Sequence, residues 1–137
     1  MTLLTKSIRE QLLRNGRVRA ALDEDGSAEA DFLPVVKLIA ADAACTWLLT
    51  ELDPDDEDIA FGLCDLGMGF PELGSVRISE IASVRGVLGL PVEHDRHFAP
   101  MHMLSVYARA AWNAGAITEC PKALEQAAAA SAQGGAS

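Results

Sequence analysis

CTWLLTELDPDDEDIAFGLCDLGMGFPELG, residues 45–74, decides the fold. Two apolar runs of strand length flank a polar knot in which six of the eight positions 51–58 are acidic. Pro54 sets a turn-ready backbone angle and aspartates close turns with their own side chains, so the stretch predicts an antiparallel hairpin with its acids at the tip. Strict alternation then puts Cys45, Trp47, Leu49 and Glu51 on one face of the first strand. In the second, Ile59, Phe61, Leu63 and Asp65 share one face and Ala60, Gly62, Cys64 and Leu66 the other.

The acids invite two readings. Carboxylates crowded at a tip repel one another and stay hydrated, which makes a solvated turn of Asp53, Asp55, Asp56, Glu57 and Asp58. The sharper reading is a cation loop, since Asp53, Asp55 and Glu57 alternate. That pattern fails as a calcium loop: Asp58 stands where the sharp bend needs glycine, and Cys64 stands where the twelfth-position glutamate belongs. No metal is expected. Asp65 ends an apolar face and needs a partner, for which Arg77 in SVRIS is the sequence's candidate. Glu51 and Asp65 form an acid pair only if their strands bring them into register.

Working outward, PVVKLIAA and GSVRIS add two more short runs, with no long helical pattern between the runs, so an antiparallel meander is expected. LPVEHDRHF reads as an edge strand, because Pro91 cannot donate to an inner ladder. LLTKSIREQLLRNG reads as an N-terminal helix, with Thr5 or Ser7 as cap and Asn15-Gly16 as stop. LDEDGSAEADF follows as a mobile loop. Ser79 caps a short middle helix over EIASVR that Gly86 closes. MLSVYARAAWNAG carries Leu104, Tyr107, Ala108, Ala111 and Trp112 at helical spacing up to Gly115, which predicts a C-terminal helix on the sheet. The expectation is therefore α+β: about four to five antiparallel strands with an N-terminal, a short middle and a C-terminal helix. Residues 1–118 make one domain, and the Ala/Gly/Ser-rich residues 119–137 a flexible tail.

The length of 137 residues, half of them hydrophobic, suits one domain with a real core. Three widely spaced cysteines without a CxxC pair suggest neither a disulfide framework nor a zinc site, and so a reducing cytoplasm. The opening residues lack a signal pattern, and no apolar run approaches the roughly 20 residues that span a bilayer. The net charge of −9 is uneven: Lys6, Arg9, Arg14, Arg17 and Arg19 put five of eleven basic residues in the first nineteen positions. The rest of the chain repels a phosphate backbone, so a protein with a basic surface is favoured over nucleic acid as partner.

Other chemistry-bearing residues give weaker patterns. His94, His97 and His102 fall in EHDRHFAPMH, but Pro91 and Pro100 favour extended chain, which points His94 and His97 to opposite faces. No GxSxG elbow accompanies the cysteines. The glycines of GMGFPELG lack the GK[ST] ending of a phosphate loop and read as a flexible-angle loop, with Phe70 and Leu73 as an exposed apolar lip. No cofactor is expected.

The blocks LLTKSIREQLLRNG, PVVKLIAADAACTWLLTELDPDDEDIAFGLCDLGMGFPELGSVRISEI and LPVEHDRHF resemble, in order and spacing, those of the bacterial family known as domain of unknown function 2958, over roughly residues 3–117. The resemblance implies a small single-domain protein encoded on plasmids and related mobile DNA, and it brings no catalytic residues. The family's pattern has a basic residue at the position of His94, which weakens a histidine metal site. Three functions compete. The first is a non-enzymatic interaction protein for conjugation or counter-defence, using Glu51, Asp53, Asp55, Asp56, Glu57, Asp58 and Phe70, with Asp23, Glu24, Asp25, Glu29 and Asp31 as further acids. The second is a small enzyme or ligand-binding domain, with Trp47, Glu51, Asp65, Arg77, Arg96 and His97 gathered at one end of the sheet. The third is a DNA-contacting regulator acting through the basic first helix.

Overall fold

Residues Cys45–Asp53 (β2) and Asp56–Asp65 (β3) form the central hairpin. Around it the chain runs in the order α1 (Lys6–Asp25), β1 (Val36–Ala40), a 3-10 turn (Ala41–Ala43), β2, β3, β4 (Glu72–Arg77), α2 (Ile78–Ser83), β5 (Glu93–His94), α3 (Leu104–Ala114) and α4 (Pro121–Gly135). The computed structural model describes residues 3–26 and 30–135. The protein is α+β: one five-stranded sheet in the order β4-β3-β2-β1-β5, antiparallel at every pairing.

β2 is buried along almost its whole length because both faces of the sheet are covered. Leu12 of α1 and Ile81 of α2 pack on one face, over Val36, Leu38, Cys45, Trp47, Leu49 and Ala60. On the other, Leu48 and Leu63 meet Leu104, Tyr107, Ala108 and Ala111 of α3 and Leu124 and Ala127 of α4. A strand covered on both sides reads as a near-continuous apolar run, which is what TWLL is.

Strict alternation fails at one place. In the β2–β3 register Leu49 pairs with Gly62 but Glu51 pairs with Phe61, so Thr50 is the extra residue of a β-bulge. The bulge moves Glu51 off the Trp47 face and onto the Phe61 face.

The first helix runs through its expected stop. Thr5 is the N-cap, its hydroxyl accepting from the Ile8 N–H at 3.2 Å, and the left-handed cap is Gly26 rather than Gly16. Gly16 is buried because α1 crosses β2 there: a Cβ at this position would collide with the Leu52 carbonyl. Its role is close approach of helix to strand. The expected loop at 22–32 is therefore helical through Asp25, and its residues 27–29, Glu29 among them, lie outside the described residues.

Two expectations at the other helices need correction. Ser79 does not cap α2: Arg77 holds the N-cap position, Val84 the C-cap, and Ser79 lies inside the first turn. Where the sequence predicts a flexible tail from residue 119, Pro121–Gly135 forms α4, because Leu124 and Ala127 recur on one side of an alanine-rich run and bury against α3.

Candidate interaction surfaces

Most acids at the hairpin tip have a definite task. Asp53 Oδ1 accepts the Asp55 N–H at 2.8 Å, and Asp56 Oδ1 accepts the Asp58 N–H at 3.2 Å, so both side chains shape the turn. Asp56 Oδ2 also accepts from Arg77 at 3.2 Å. Asp58 takes the Ser79 hydroxyl at 2.7 Å and the Ser79 N–H at 3.0 Å, tying the tip to the first turn of α2. The Ser79 hydroxyl above all, helped by its N–H and by Arg77, holds the Asp58 carboxyl below the usual aspartate range against an opposing desolvation. Arg77 is held in its charged form by Asp56 and Asp58. Glu57 faces Arg9 at 3.7 Å, with both side chains about half exposed. Among the described residues, Asp53 and Asp55 of this knot, and Asp23, Glu24 and Asp25 at the end of α1, form no ion pair. Asp31 is not free for a partner: its carboxylate takes the Ser105 N–H at 3.2 Å and hydroxyl at 2.5 Å, capping the start of α3.

Glu51 is buried, at 5% exposure, and so must be paired. Arg19 of α1 supplies the cation through Nε, and the Thr50 hydroxyl donates to the other carboxylate oxygen at 3.2 Å. The same guanidinium lies 5.1 Å from the Phe61 ring centre and 5.8 Å from that of Phe32, and donates to the Ala30 carbonyl at 3.1 Å. A hollow of about 450 Å³ opens here, lined by Arg19, Thr50, Phe61, Leu73 and Leu104. Its charged group is already engaged with protein atoms, so the arrangement is a clamp on the end of α1.

Asp65 has a different partner from the expected one. Arg77 pairs across from Ile59, at the opposite end of β3. The buried Asp65 carboxylate instead accepts two backbone N–H groups, from Gly67 at 2.9 Å and from Ile117 at 3.0 Å. It pins the loop after β3 to the α3–α4 connection. Nor does it pair with Glu51, since Asp65 sits opposite Thr46 and Glu51 opposite Phe61.

The six side chains of the expected pocket do not converge. Trp47 is buried on the α1 side of the sheet, Glu51 and Asp65 are on the α3 side, Arg77 is at the tip end of β4, and Arg96 and His97 are exposed beyond β5 at the other edge. The histidines are equally separate: His94 pairs with Leu38, the His97 N–H donates to Asp95 Oδ1 at 2.9 Å, and the His102 ring stands edge-on to Tyr107. Among the described residues no three His, Cys, Asp or Glu side chains are grouped to hold a metal.

At the end of the sheet away from the acids, large apolar side chains face solvent. Phe70 is 81% exposed and Met68 70%, with Leu66, Leu73 and Trp112 beside them in the chain or across the contact. This lip is held in shape. The Trp112 indole N–H donates to the Pro71 carbonyl at 2.9 Å, Asp65 grips Gly67, and Gly67 takes a left-handed φ of 77° against Ala44. Trp112 therefore belongs to the surface, not to the core that its helical spacing suggests. A second loop shares this end: the Asp42 carboxylate accepts the N–H groups of Gly86, Leu88 and Leu90, while Val87 and Leu88 project outward. Arg19, Asp42 and Trp112 carry this architecture without a sequence signal, because each acts on a segment remote in the chain. Phe70 in the acid-and-apolar binding set lies roughly 30 Å from the acid tip, the length of the ten-residue strand β3.

No helix among the described residues is long and apolar enough to cross a membrane. No curated protein and no solved structure matches the chain. The family model described as "Protein of unknown function (DUF2958)" matches residues 3–118. With that match covering most of its length, the chain belongs to the DUF2958 family.

Proposed function

We propose that this chain is a non-catalytic interaction protein of the cytoplasm, carried by plasmids or other mobile DNA, that lays its acidic end against a basic surface of a partner protein in conjugation or counter-defence. The mobile-DNA setting is what the family resemblance implies. The observation that supports the contact is the division among the acids. Asp56 and Asp58 are engaged with Arg77 and Ser79, whereas Asp53, Asp55, Asp23, Glu24 and Asp25 form no ion pair among the described residues. The two groups belong to one end of the molecule, since α1 crosses the hairpin at Gly16, about 10 Å of helix before Asp23. Unpaired surface carboxylates steer association with a cationic partner at little cost to the fold.

A DNA contact through the first helix has less support. Arg9 and Arg19, two of its five cations, are engaged with Glu57 and Glu51. The proposal is tested by co-purifying the partner from the native host and measuring its affinity for the chain with Asp53→Asn, Asp55→Asn, Asp23→Asn, Glu24→Gln and Asp25→Asn combined. Weakening of about tenfold or more, shrinking as salt is raised, is the expected result. Affinity unchanged by the five neutralisations removes the proposal.

A further inference from the structure

We propose that the open edge of β4 is a docking site for an extended segment of another protein, which joins the sheet beyond β4 as an added strand. β4 is outermost and pairs with β3 on one side only. Alternate residues of a strand turn their N–H and C=O groups to opposite sides, and among the described residues those of 72–76 that turn away from β3 have no hydrogen-bond partner. Edges that resist pairing carry charges, prolines or bulges along their length. In β4 the charges stand only at the ends, Glu72 and Arg77, while residues 73–76 are uncharged, lack proline and pair with β3 without a bulge. The opposite edge, β5, is only two residues long. Gly74 points the same way. Its φ is not left-handed and a Cβ there would meet open space, so nothing within the described chain requires glycine, whereas glycine inside a strand marks places where another backbone comes close.

The two faces of β4 set the chemistry of the occupant. On the α3 face stand Leu73, 39% exposed, and Ser75, paired with Leu63 and Phe61. Leu73 and Phe61 are also walls of the hollow of about 450 Å³ that Leu104 helps to line. An added strand therefore lays its side chains on this face against Leu73 at an apolar rim, which favours large aliphatic residues there. On the α1 face stand Glu72, Gly74 and Val76, paired with Cys64, Gly62 and Ala60. Glu72 is exposed and among the described residues forms no ion pair, so a lysine or arginine opposite it is matched in charge. A second copy of this chain fits badly. Two β4 strands related by a two-fold axis normal to the sheet keep each residue on its own face, so Glu72 can meet Gly74 or Val76 of the copy but never Arg77, which Asp56 and Asp58 already hold. Two chains of net charge −9 also repel each other.

The inference is independent of the acid-end proposal, because its probe is a short peptide and its readout lies on β4. The probe is the capped peptide Thr-Thr-Val-Thr-Leu-Lys-Thr, which in antiparallel register sets its valine opposite Ser75, its leucine opposite Leu73 and its lysine opposite Glu72. Titrated into the isotope-labelled full chain and followed by NMR, it is expected to bind with a dissociation constant of about 10 μM to 1 mM and to shift the backbone amides of residues 72–76 most. N-methylation of alternate peptide amides separates strand pairing from apolar contact alone. Methylating the set that faces β4 should abolish binding, and methylating the other set should leave it. Glu72→Lys is expected to weaken binding about two- to fivefold, and a peptide with glutamate in place of its lysine should recover the loss on that variant. No saturable binding at about 1 mM, equal tolerance of the two methylated sets, largest shifts away from β4, or indifference to both charge exchanges overturns the inference.

Discussion

Glu51 shows how one residue's burial sets its chemistry. A carboxylate nearly out of solvent needs a matched cation, and Arg19 reaches it from another element. Removing the arginine while leaving the acid is expected to cost about 2–4 kcal/mol, somewhat below the full penalty for a buried pair because Arg19 keeps some solvent. Urea unfolding of Arg19→Ala measures this, and Arg19→Met with Glu51→Gln should recover much of the loss. Asp58 makes the pH prediction at this scale. Its carboxyl is held low by Ser79 first and by Arg77 after it, so its contribution is fully present above the ordinary aspartate range and is lost as pH falls through its lowered value. Unfolding followed from neutral pH down through that range should show a slope that Asp58→Asn reduces; identical slopes would contradict the assignment. Burial, with Glu72 adding to it, pushes the Cys64 thiol up to about 11, and burial also raises Cys45. At pH 8 a thiol reagent should therefore label the exposed Cys120 and leave Cys64 and Cys45 until the chain unfolds.

Among the elements, the hairpin was the most legible, because two apolar runs around a Pro-Asp turn admit few other structures. The bulge was not: Thr50 and Glu51 alternate like their neighbours, and only burial of Leu52 on the α1 side tells where the register slips. Asn15-Gly16 has the composition of a helix stop, yet the glycine serves a helix–strand contact that depends on a residue 36 positions away, Leu52. An alanine-rich tail carries too few large side chains to announce a packed face, so α4 could be seen only once α3 offered Leu124 a place. Two substitutions test these elements. In an isolated helix Gly→Ala stabilises by about 1 kcal/mol, but Gly16→Ala should destabilise the protein by about 1–3 kcal/mol because the methyl meets the Leu52 carbonyl. Leu124→Ala should cost about 2–4 kcal/mol if α4 is part of the core, and close to nothing if the segment is loose. The candidate site was legible only in part. The acids and Phe70 were visible as residue types, but their separation along β3 and the capture of Asp56 and Asp58 by Arg77 and Ser79 depend on register.

The whole molecule has two unlike ends joined by a doubly covered sheet. One end carries the hairpin acids and the last turn of α1; the other carries the Phe70 lip and the Val87–Leu88 loop that Asp42 anchors. The proposed contact with a basic partner would engage the acidic end and leave the other end out of it. Hydrogen exchange read by mass spectrometry, on the chain alone and with its co-purified partner, tests this division most directly. The account predicts that the partner slows exchange in residues 20–26 and 53–57 and leaves residues 66–73 and 109–115 unchanged. Slowing of the lip by the partner, with the acidic end unchanged, would contradict it.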